Sequence, residues 1–191
     1  WFDLEVASNP DAYHPIDVER VHNEEWQVRR FLRAQSDGSE QRAFDAMCAA
    51  LRFKKTHAVH ESTDHYFPKE IWTVPKIELI GRDRSDRPIL WSALKDVRHM
   101  KESAWLQHRF IPYIVEQIDR RAGEKGFIVV IDSNGAIIPS FELDICKFVV
   151  QTFRHFPCGL RGLYIVDQPL LVRTIFRVIV GLMGSSKHLF H

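Results

Sequence analysis

The sequence predicts an α/β fold in which a helical N-terminal subdomain precedes a lobe built on a mixed β-sheet. In the first third of the chain, apolar residues recur every three or four positions, which is the period of a helix. From residue 77 onward the period shortens to two, as in a half-buried strand. Between residues 127 and 166, two apolar runs flank an amphipathic helix, an order typical of parallel strands joined by a right-handed crossover. We therefore expect the helical subdomain at 1–72 and the lobe at 73–191.

The N-terminal subdomain is predicted to contain an arm and two main helices. Residues 1–24 are polar and contain two prolines, so they predict an arm that leads into a helix over 17–35. The inward-facing side chains predicted for this helix are Trp26, Phe31 and Leu32. Ser39 fits the N-cap of a second helix, whose apolar side chains recur at helical spacing up to Leu51. Residues 57–72 predict a loop with one short helical turn.

The lobe is predicted to alternate strands with helices. A polar turn at 81–88 separates two short strands, which predicts an antiparallel pair. Unbroken apolar runs in the two later strands predict that both of their faces are covered. The predicted strands are 77–79, 89–94, 127–131 and 163–166, and the predicted helices are 102–121 and the segment after Ser140.

A helix predicted over residues 170–183 is apolar on almost every side. It rises roughly 20 Å, too short for a hydrocarbon core of about 30 Å. It therefore lies deep in a core or covers an apolar molecule such as a lipid. Arg173 and Arg177 lie four residues apart, so both can stay in the headgroup layer of a membrane. The side chains predicted to enter the acyl region are Leu171, Ile175 and Ile179. Two chains could also pair through such an exposed patch.

Charge and cysteine content restrict the setting of the protein. The formal net charge is +1, yet the first 25 residues are acidic and Asp167 is the only acid from Ile145 onward. This polarity either turns the C-terminal half toward an anionic surface or is balanced when the two halves pack together. The three cysteines form no C-x-x-C pair, which favours a reducing, cytosolic compartment. The first residue, Trp1, indicates a piece of a longer protein.

Motifs of catalysis and of cofactor binding are lacking. The sequence has no G-x-S-x-G elbow, no H-E-x-x-H pair and no glycine-rich dinucleotide loop, and its ten histidines show no ligand spacing. Residues 181–187 combine glycine, serine and lysine without the spacing of a phosphate loop. Asp132 ends an apolar strand, a common place for a catalytic acid, but the Ser-Asn-Gly that follows favours a turn cap. We therefore predict a non-catalytic protein without a cofactor or metal, and without a nucleic-acid partner.

Several motifs, taken in order, resemble the CRAL-TRIO family of lipid-binding domains, which includes phosphatidylinositol transfer proteins and the tocopherol and retinal carriers. The matching segments are Arg-Arg-Phe-Leu-Arg-Ala at 29–34, Phe-Lys-Lys at 53–55, the turn at 83–88, the strand and turn at 128–135, Phe-Pro at 156–157 and Tyr-Ile-Val-Asp-Gln-Pro at 164–169. Asp86 stands where the family turn carries glycine. Each motif is moderately specific, and their order and spacing carry the resemblance.

The resemblance implies a pocket for one phospholipid or other acyl lipid, closed by a mobile gate helix at 170–183. Its candidate walls, each of which could equally be ordinary core, are Trp91, Phe110, Ile114, Ile131, Phe148, Leu171, Ile175 and Phe176, with Ser133 as a polar contact at the mouth. The candidate gate residues that meet a membrane are Leu171, Arg173, Ile175, Arg177 and Ile179. Candidate headgroup ligands are Arg33, which fits an internal ion pair better, and Lys187. The implied function is lipid binding and transfer at the cytosolic face of an organelle membrane such as the endoplasmic reticulum.

Two departures from the family pattern modify these expectations. Phosphatidylinositol-binding members carry an acid just after the Phe-Pro pair, where this chain has Cys158, so we expect no special preference for inositol lipids. The final strand and Gly-Gly element of the family do not follow residue 189, which predicts weaker closure of the gate. Two alternatives remain at this stage. One is a protein- or membrane-docking module that keeps the fold without carrying lipid, and the more distant one is a small-molecule enzyme.

Overall fold

The computed structural model of the chain describes residues 1–73, 76–95, 104–136 and 143–168. The predicted helix over 170–183, with all of the gate residues, lies outside the described residues, as does Lys187.

The N-terminal part is helical from its second residue. Its α-helices are α1 (Phe2–Ser8), α2 (Pro15–Asn23), α3 (Glu25–Arg33), α4 (Glu40–Thr56) and α5 (Lys69–Thr73), with short 3₁₀ turns at Pro10–Ala12 and Asp64–Tyr66. The predicted cap of α4 is confirmed, because the Ser39 hydroxyl accepts a hydrogen bond from the backbone N–H of Arg42 at 3.3 Å. The short helical turn predicted before residue 72 is also present, as α5.

Three details of the N-terminal prediction are wrong. The expected arm is helical, and it packs: Phe2 and Tyr13 join Phe31 and residues of α4 in one apolar core. Proline did not prevent helix formation at residue 15, because it occupies the first helical position, where its missing N–H has no partner in any case. The helix expected over 17–35 is broken at Glu24. Leu32 is 39% exposed instead of facing inward.

The lobe contains four strands and two helices among the described residues. The strands are β1 (Lys76–Arg82), β2 (Pro88–Ala93), β3 (Phe127–Asp132) and β4 (Leu160–Val166), and the helices are α6 (Ala104–Ala122) and α7 (Leu143–Arg154). The sheet order is β1-β2-β3-β4, with β1 antiparallel to β2 and the other neighbours parallel. The predicted antiparallel pair and the predicted parallel pair are both confirmed.

The turn between β1 and β2 keeps a left-handed residue. Asp86 has a φ of 61°, in the region that glycine adopts most easily and that Asp tolerates better than most residues. Asp83 fixes the turn, because its carboxylate accepts hydrogen bonds from the backbone N–H of Ser85 and of Arg87 at 2.9 Å. Aspartate at the family's glycine position is therefore compatible with the same turn conformation.

The two faces of the sheet differ in what covers them. Strands β2, β3 and β4 are parallel neighbours, so right-handed crossovers put α6 and α7 on the same side. On that side, which we call the covered face, Leu90, Val129 and Leu163 form one core with residues of α6. We call the opposite side the open face. Alternation of side chains along each strand places Trp91, Val130 and Tyr164 there.

The last strand departs from expectation on its open face. We predicted that both faces of β4 are covered, yet Tyr164 is 39% and Val166 is 40% exposed, while Leu163, which precedes them, is 6% exposed. The apolar run that predicted full coverage is therefore a sequence of inward and half-exposed side chains. Such a run gives no alternation signal when the half-exposed positions are also apolar.

Candidate functional site

The open face carries a row of large side chains across the parallel strands. Trp91, Val130 and Tyr164 are register partners on β2, β3 and β4, so their side chains lie next to one another. Trp91 and Val130 are half-buried. Val166 continues the apolar surface toward the carboxyl ends of the strands. A contiguous apolar area of this kind on a sheet face is typical of a surface that binds an apolar partner.

The floor of this surface is shaped by a glycine. A Cβ added at Gly162 would lie 3.0 Å from the ring of Tyr164 and 3.3 Å from the side chain of Ile128. The absence of a side chain at Gly162 lets the Tyr164 ring lean back along β4, which lowers the surface at that point. At the other end of the row, the Lys76 ammonium group lies 5.6 Å from the centre of the Trp91 ring, a cation–π distance.

Ser133 lies at the carboxyl end of β3, where ligand sites of α/β folds commonly form. Its side chain is fully buried, and its hydroxyl has no hydrogen-bond partner among the described residues. An unpaired buried hydroxyl is costly, so a ligand or water oxygen at this point would stabilise it. The neighbouring Asp132 accepts a hydrogen bond from the Asn134 N–H at 2.9 Å, which confirms the turn-cap interpretation of this acid.

The structure separates the predicted wall residues that it describes. Trp91 lies on the open face, whereas Ile131 and Ile114 pack against the core of the covered face. Phe110 lies outside this core, in a separate aromatic cluster beside α5. Phe148 contacts the end of α4, with its ring 5.2 Å from His57 and 4.1 Å from His108. The residues predicted from the family pattern are thus distributed over four surroundings.

The aromatic cluster around Phe148 also contains three imidazole rings. His57 and His155 lie 4.3 and 4.2 Å from the ring of Phe53, and His108 stacks on Phe148. Burial and the nearby charge of His108 lower the pKa of His57. Burial and the nearby charge of His57 lower the pKa of His155. The surroundings therefore favour the neutral form of His57 and of His155.

The two candidate headgroup positions that the structure describes face different surroundings. Arg33 is exposed and forms no ion pair with the described residues, so the internal salt bridge expected for it is absent there. Cys158 precedes β4 and therefore lies near the amino ends of the parallel strands, whereas Ser133 lies at their carboxyl ends. Its thiol lies 3.7 Å from the backbone carbonyl of Arg30 and donates a weak hydrogen bond to it. The side chain that replaces the family acid is therefore directed at α3.

Arg30 is the centre of the contact between the N-terminal helices and the lobe. Its guanidinium group donates two hydrogen bonds to Asp119, at 2.6 and 2.8 Å, and a third to the carbonyl of Pro157. Both charged side chains are almost completely buried. A Cβ at Gly159 would lie 2.6 Å from Asp119, so only glycine fits beside this pair. The geometry is the bidentate arrangement that offsets the desolvation of a buried charge.

A second buried ionic group lies nearby on α6. Glu116 pairs with Lys54 of α4 and with Arg20 of α2, both at 2.7 Å. Burial alone would raise the pKa of Glu116, but the charge of Lys54 and its hydrogen bond lower it to about 2. The carboxylate is therefore ionised at every physiological pH. We call these contacts, together with the Arg30–Asp119 pair, the charged seam.

Sequence reasoning missed Val130, Tyr164 and Val166 as surface residues of the open face. The signal that finds them is register: in a parallel sheet, the residues opposite Trp91 share its face. The position of Trp91 was available from the sequence, whereas the register of β3 and β4 was not. From the sequence alone, Tyr164 stands out only as part of the Tyr-Ile-Val-Asp-Gln-Pro motif.

Other kinds of site find no support in the part of the chain that the structure describes. No group of three His, Cys, Asp or Glu side chains there could hold a metal ion. None of the described helices is both long and apolar enough to cross a bilayer.

Comparison with known proteins gives one family and one fold. The profile of the CRAL/TRIO domain matches residues 75–187, which is more than half of the chain. The crystal structure of Sfh5 superimposes with a TM-score of 0.67 at 15% sequence identity, covering 95% of this chain and 70% of that chain. That likeness, at so low an identity, shows the fold. No curated protein sequence gives a significant match. The order of strands and helices, the motif order and the profile match agree, and the chain belongs to the CRAL/TRIO domain family.

Proposed function

We propose that this protein binds one acyl lipid on the open face of its sheet and transfers it at a membrane surface. The observation that carries the proposal is the row formed by Trp91, Val130 and Tyr164, which is apolar and half-exposed. Proteins of the CRAL/TRIO family are generally lipid-binding or lipid-transfer proteins, and the row lies on a face that α6 and α7 leave uncovered.

The energetics of the row favour a lipid tail over water. Burial of a methylene group contributes about 0.8 kcal/mol, so a chain of ten methylenes in contact with the open face gains several kcal/mol even when partly enclosed. The buried Ser133 hydroxyl, unpartnered among the described residues, would accept or donate one hydrogen bond to a polar group of the lipid.

The gate belongs to the same proposal and rests on the sequence. The apolar helix predicted over 170–183 follows β4 and would cover the open face, with Leu171, Ile175 and Phe176 against the lipid. In the open state, Arg173 and Arg177 would stay among headgroups while Ile179 enters the acyl region. Ile175→Asp with Ile179→Asp should abolish liposome binding and leave the circular dichroism spectrum intact. Normal liposome binding by this variant would show that the helix does not meet the membrane.

The finer identity and setting of the protein are further parts of the proposal. We propose that, within the family, this chain is related to the lipid-binding portion of motile sperm domain-containing protein 2. The segments that carry this likeness are Tyr13, Asp-Val-Glu-Arg at 17–20, Trp91, and Asp-Gln-Pro at 167–169. We propose a place at the cytosolic face of the endoplasmic reticulum. No disulfide joins any two of the three cysteines, which suits a reducing compartment.

Lipid carriage is tested by extraction and by a matched pair of tryptophan variants. Organic extraction and mass spectrometry of the purified protein should recover an acyl lipid. A fluorescent fatty-acyl probe should bind, and Trp91→Ala should weaken its binding by about tenfold, the loss expected from one large apolar contact. The control is Trp105→Ala, which removes a tryptophan that is 62% exposed on α6, away from the open face.

The outcomes distinguish a carrier from a docking module. Equal probe binding by both variants would show that the open face is not the lipid site. A protein that yields no lipid and binds no probe, yet still binds liposomes, would be a membrane-docking module instead of a carrier.

Headgroup preference is tested by loading from mixed liposomes. We expect no selection of phosphatidylinositol over phosphatidylcholine, because Cys158 replaces the family acid and its thiol faces the Arg30 carbonyl. A strong preference for phosphatidylinositol would contradict this part of the proposal. Cys158→Glu is the informative variant, since it restores an acceptor for inositol hydroxyls at the family position.

A further inference from the structure

A cavity of about 160 Å³ lies on the covered side of the sheet, away from the open face. It is lined by residues of α5, β1, β2 and α6 and by Asp64, all of them described. The alternation along β1 and β2 places Ile77, Leu79 and Leu90 on the covered face, opposite to the face that carries Trp91. The cavity is therefore separated from the proposed lipid surface by the thickness of the sheet.

The cavity exists because two helices on this side, α5 and α6, cover different strands and leave a gap between them. Helix α6 packs over β2 and β3, whereas β1 at the edge is met by the short helix α5. The space between these helices is not filled, and Leu79 remains 40% exposed although it faces the helical side. An apolar cavity of about 150 Å³ is large enough to bind benzene, so this space fits one ring or a short alkyl group.

The walls and the rim of the cavity have different chemistry. The walls are apolar: Trp72, Ile77, Leu79, Leu90, Ile114 and Ile118. The acid of the rim on the covered side is Asp64, which accepts a hydrogen bond from Tyr113 at 2.7 Å, whereas the Glu78 carboxylate lies on the open side of β1 and pairs with Lys76 at 2.9 Å. Arg121 at the same rim forms no ion pair with any described residue. An arginine side chain carries five donors and prefers a carboxylate, which it can bind through two parallel hydrogen bonds.

We propose that this cavity is a second binding site, which takes a small hydrophobic carboxylate whose ring or alkyl group fills the apolar walls and whose carboxylate pairs with Arg121. Arg121 favours this occupant, because its guanidinium group is the cation of the cavity lining and the Asp64 carboxylate is engaged by the Tyr113 hydroxyl. The site is distinct from the proposed lipid surface, because its apolar walls and Arg121 lie on the covered side, and Glu78 is the one lining residue whose side chain points to the open face.

The test uses benzoate as the probe, with benzyl alcohol and benzylamine as neutral and cationic analogues of the same size. Saturation-transfer NMR should show benzoate binding with a Kd on the order of 1–10 mM, the range expected for so small a ligand. Benzoate should bind about threefold more tightly than either analogue, since an exposed ion pair adds little. Arg121→Gln should remove this preference and leave benzyl alcohol binding unchanged.

A second variant tests the cavity itself. Leu79→Trp should fill it and abolish binding of benzoate and benzyl alcohol, while the half-exposed position tolerates the larger ring. Arg84→Gln, an exposed arginine in the turn after β1, is the matched control and should bind like the unmodified protein.

Three results would overturn the proposal: stronger binding of benzylamine than of benzoate, benzoate binding that both Arg121→Gln and Leu79→Trp leave unchanged, or displacement of benzoate by the fatty-acyl probe. The last result would place benzoate on the open face. Loss of benzoate binding in Leu79→Trp with unchanged probe binding supports a separate site, and that result stands whether or not the protein carries lipid in the cell.

Discussion

The two faces of one strand show how this chain divides stability from binding. Val129 and Val130 are neighbours on β3, yet Val129 is 6% exposed in the core against α6 and Val130 is half-buried on the open face. The same residue type thus serves two purposes through the period of two along a strand. The covered face holds the fold together, and the open face presents apolar surface for a ligand.

The contrast extends to polar groups. On the covered side, helices α2, α3 and α4 contact α6 through the charged seam, where Arg30 and Asp119 are paired and buried. At the carboxyl end of β3, the buried Ser133 hydroxyl has no hydrogen-bond partner among the described residues. Charges that have partners fix one arrangement of the helices. A polar group without one is a position at which binding can still lower the free energy.

The largest expected effect is the loss of the Arg30–Asp119 pair. Arg30→Ala leaves the Asp119 carboxylate buried without its partner, so the free energy of unfolding should fall by about 3–5 kcal/mol. Urea unfolding followed by circular dichroism measures this change. The exposed Arg29, which pairs with Glu25 one turn away, is the matched control, and Arg29→Ala should cost less than about 0.5 kcal/mol.

The interpretation of the seam depends on burial, and a double variant tests it. Arg30→Met with Asp119→Leu removes both charges and keeps apolar volume, so it should be less destabilised than Arg30→Ala. If Arg30→Ala loses less than about 1 kcal/mol, the pair is not buried in solution as the structure has it.

The next largest effect is sensitivity to acid through Glu116. Its pKa is about 2 in the folded protein against an ordinary 4.5, so its contribution to stability is complete above pH 4.5 and is lost as the pH falls toward 2. Each pKa unit is worth about 1.4 kcal/mol, which gives a loss of roughly 3 kcal/mol across this window.

Glu116→Gln separates this group from the other carboxylates. The variant should be less stable at pH 7, because Lys54 and Arg20 lose their counter-charge, and its stability should fall less steeply between about pH 5 and pH 2. Urea midpoints measured across that range provide the comparison. An unchanged slope would assign the acid sensitivity to other groups.

Much of the fold could be predicted from the sequence, because the signals were local. Strand and helix periods found the four strands that the structure describes as well as α4, α6 and α7, and the Ser39 cap was readable from one side chain. The failures had non-local causes. The first helix is stabilised by packing of Phe2 against Tyr13 and Phe31, a contact that no local pattern reveals in a polar segment.

The candidate site was less predictable, because it depends on register and on pairing. Trp91 could be identified as a candidate from the motif in which it stands, but Val130 and Tyr164 become its neighbours only through the pairing of β3 with β2 and β4. Arg30 and Asp119 are 89 positions apart, so their contact left no trace in either local sequence. Residues 169–191, which contain the predicted gate, lie outside the described residues, and their role remains a prediction.

A smaller effect is expected from the histidines where α4, α6 and α7 meet. The pKa values of His57 and His155 are lowered by burial and by neighbouring imidazoles, so their contribution to stability is present above pH 6.5 and is lost as the pH falls below it. Between pH 7 and pH 5 the protein should lose less stability than it loses in the Glu116 window. The double variant His57→Phe with His155→Phe should have a melting temperature that depends less on pH over this range. An unchanged dependence on pH would refute the assignment.

The smallest expected effect on stability is on the open face, and it tests the division between the two faces most directly. Val129→Ser places a hydroxyl in a closed core and should cost about 2–3 kcal/mol, whereas Val130→Ser should cost less than about 1 kcal/mol because its side chain is half-exposed. Binding of the fatty-acyl probe should follow the opposite order, since only Val130 would touch the lipid. Paired urea unfolding and probe titrations measure both quantities on the same two variants. Equal stability losses would mean that the open face is covered in solution, and a probe affinity that falls only in Val129→Ser would place the lipid on the helical side of the sheet.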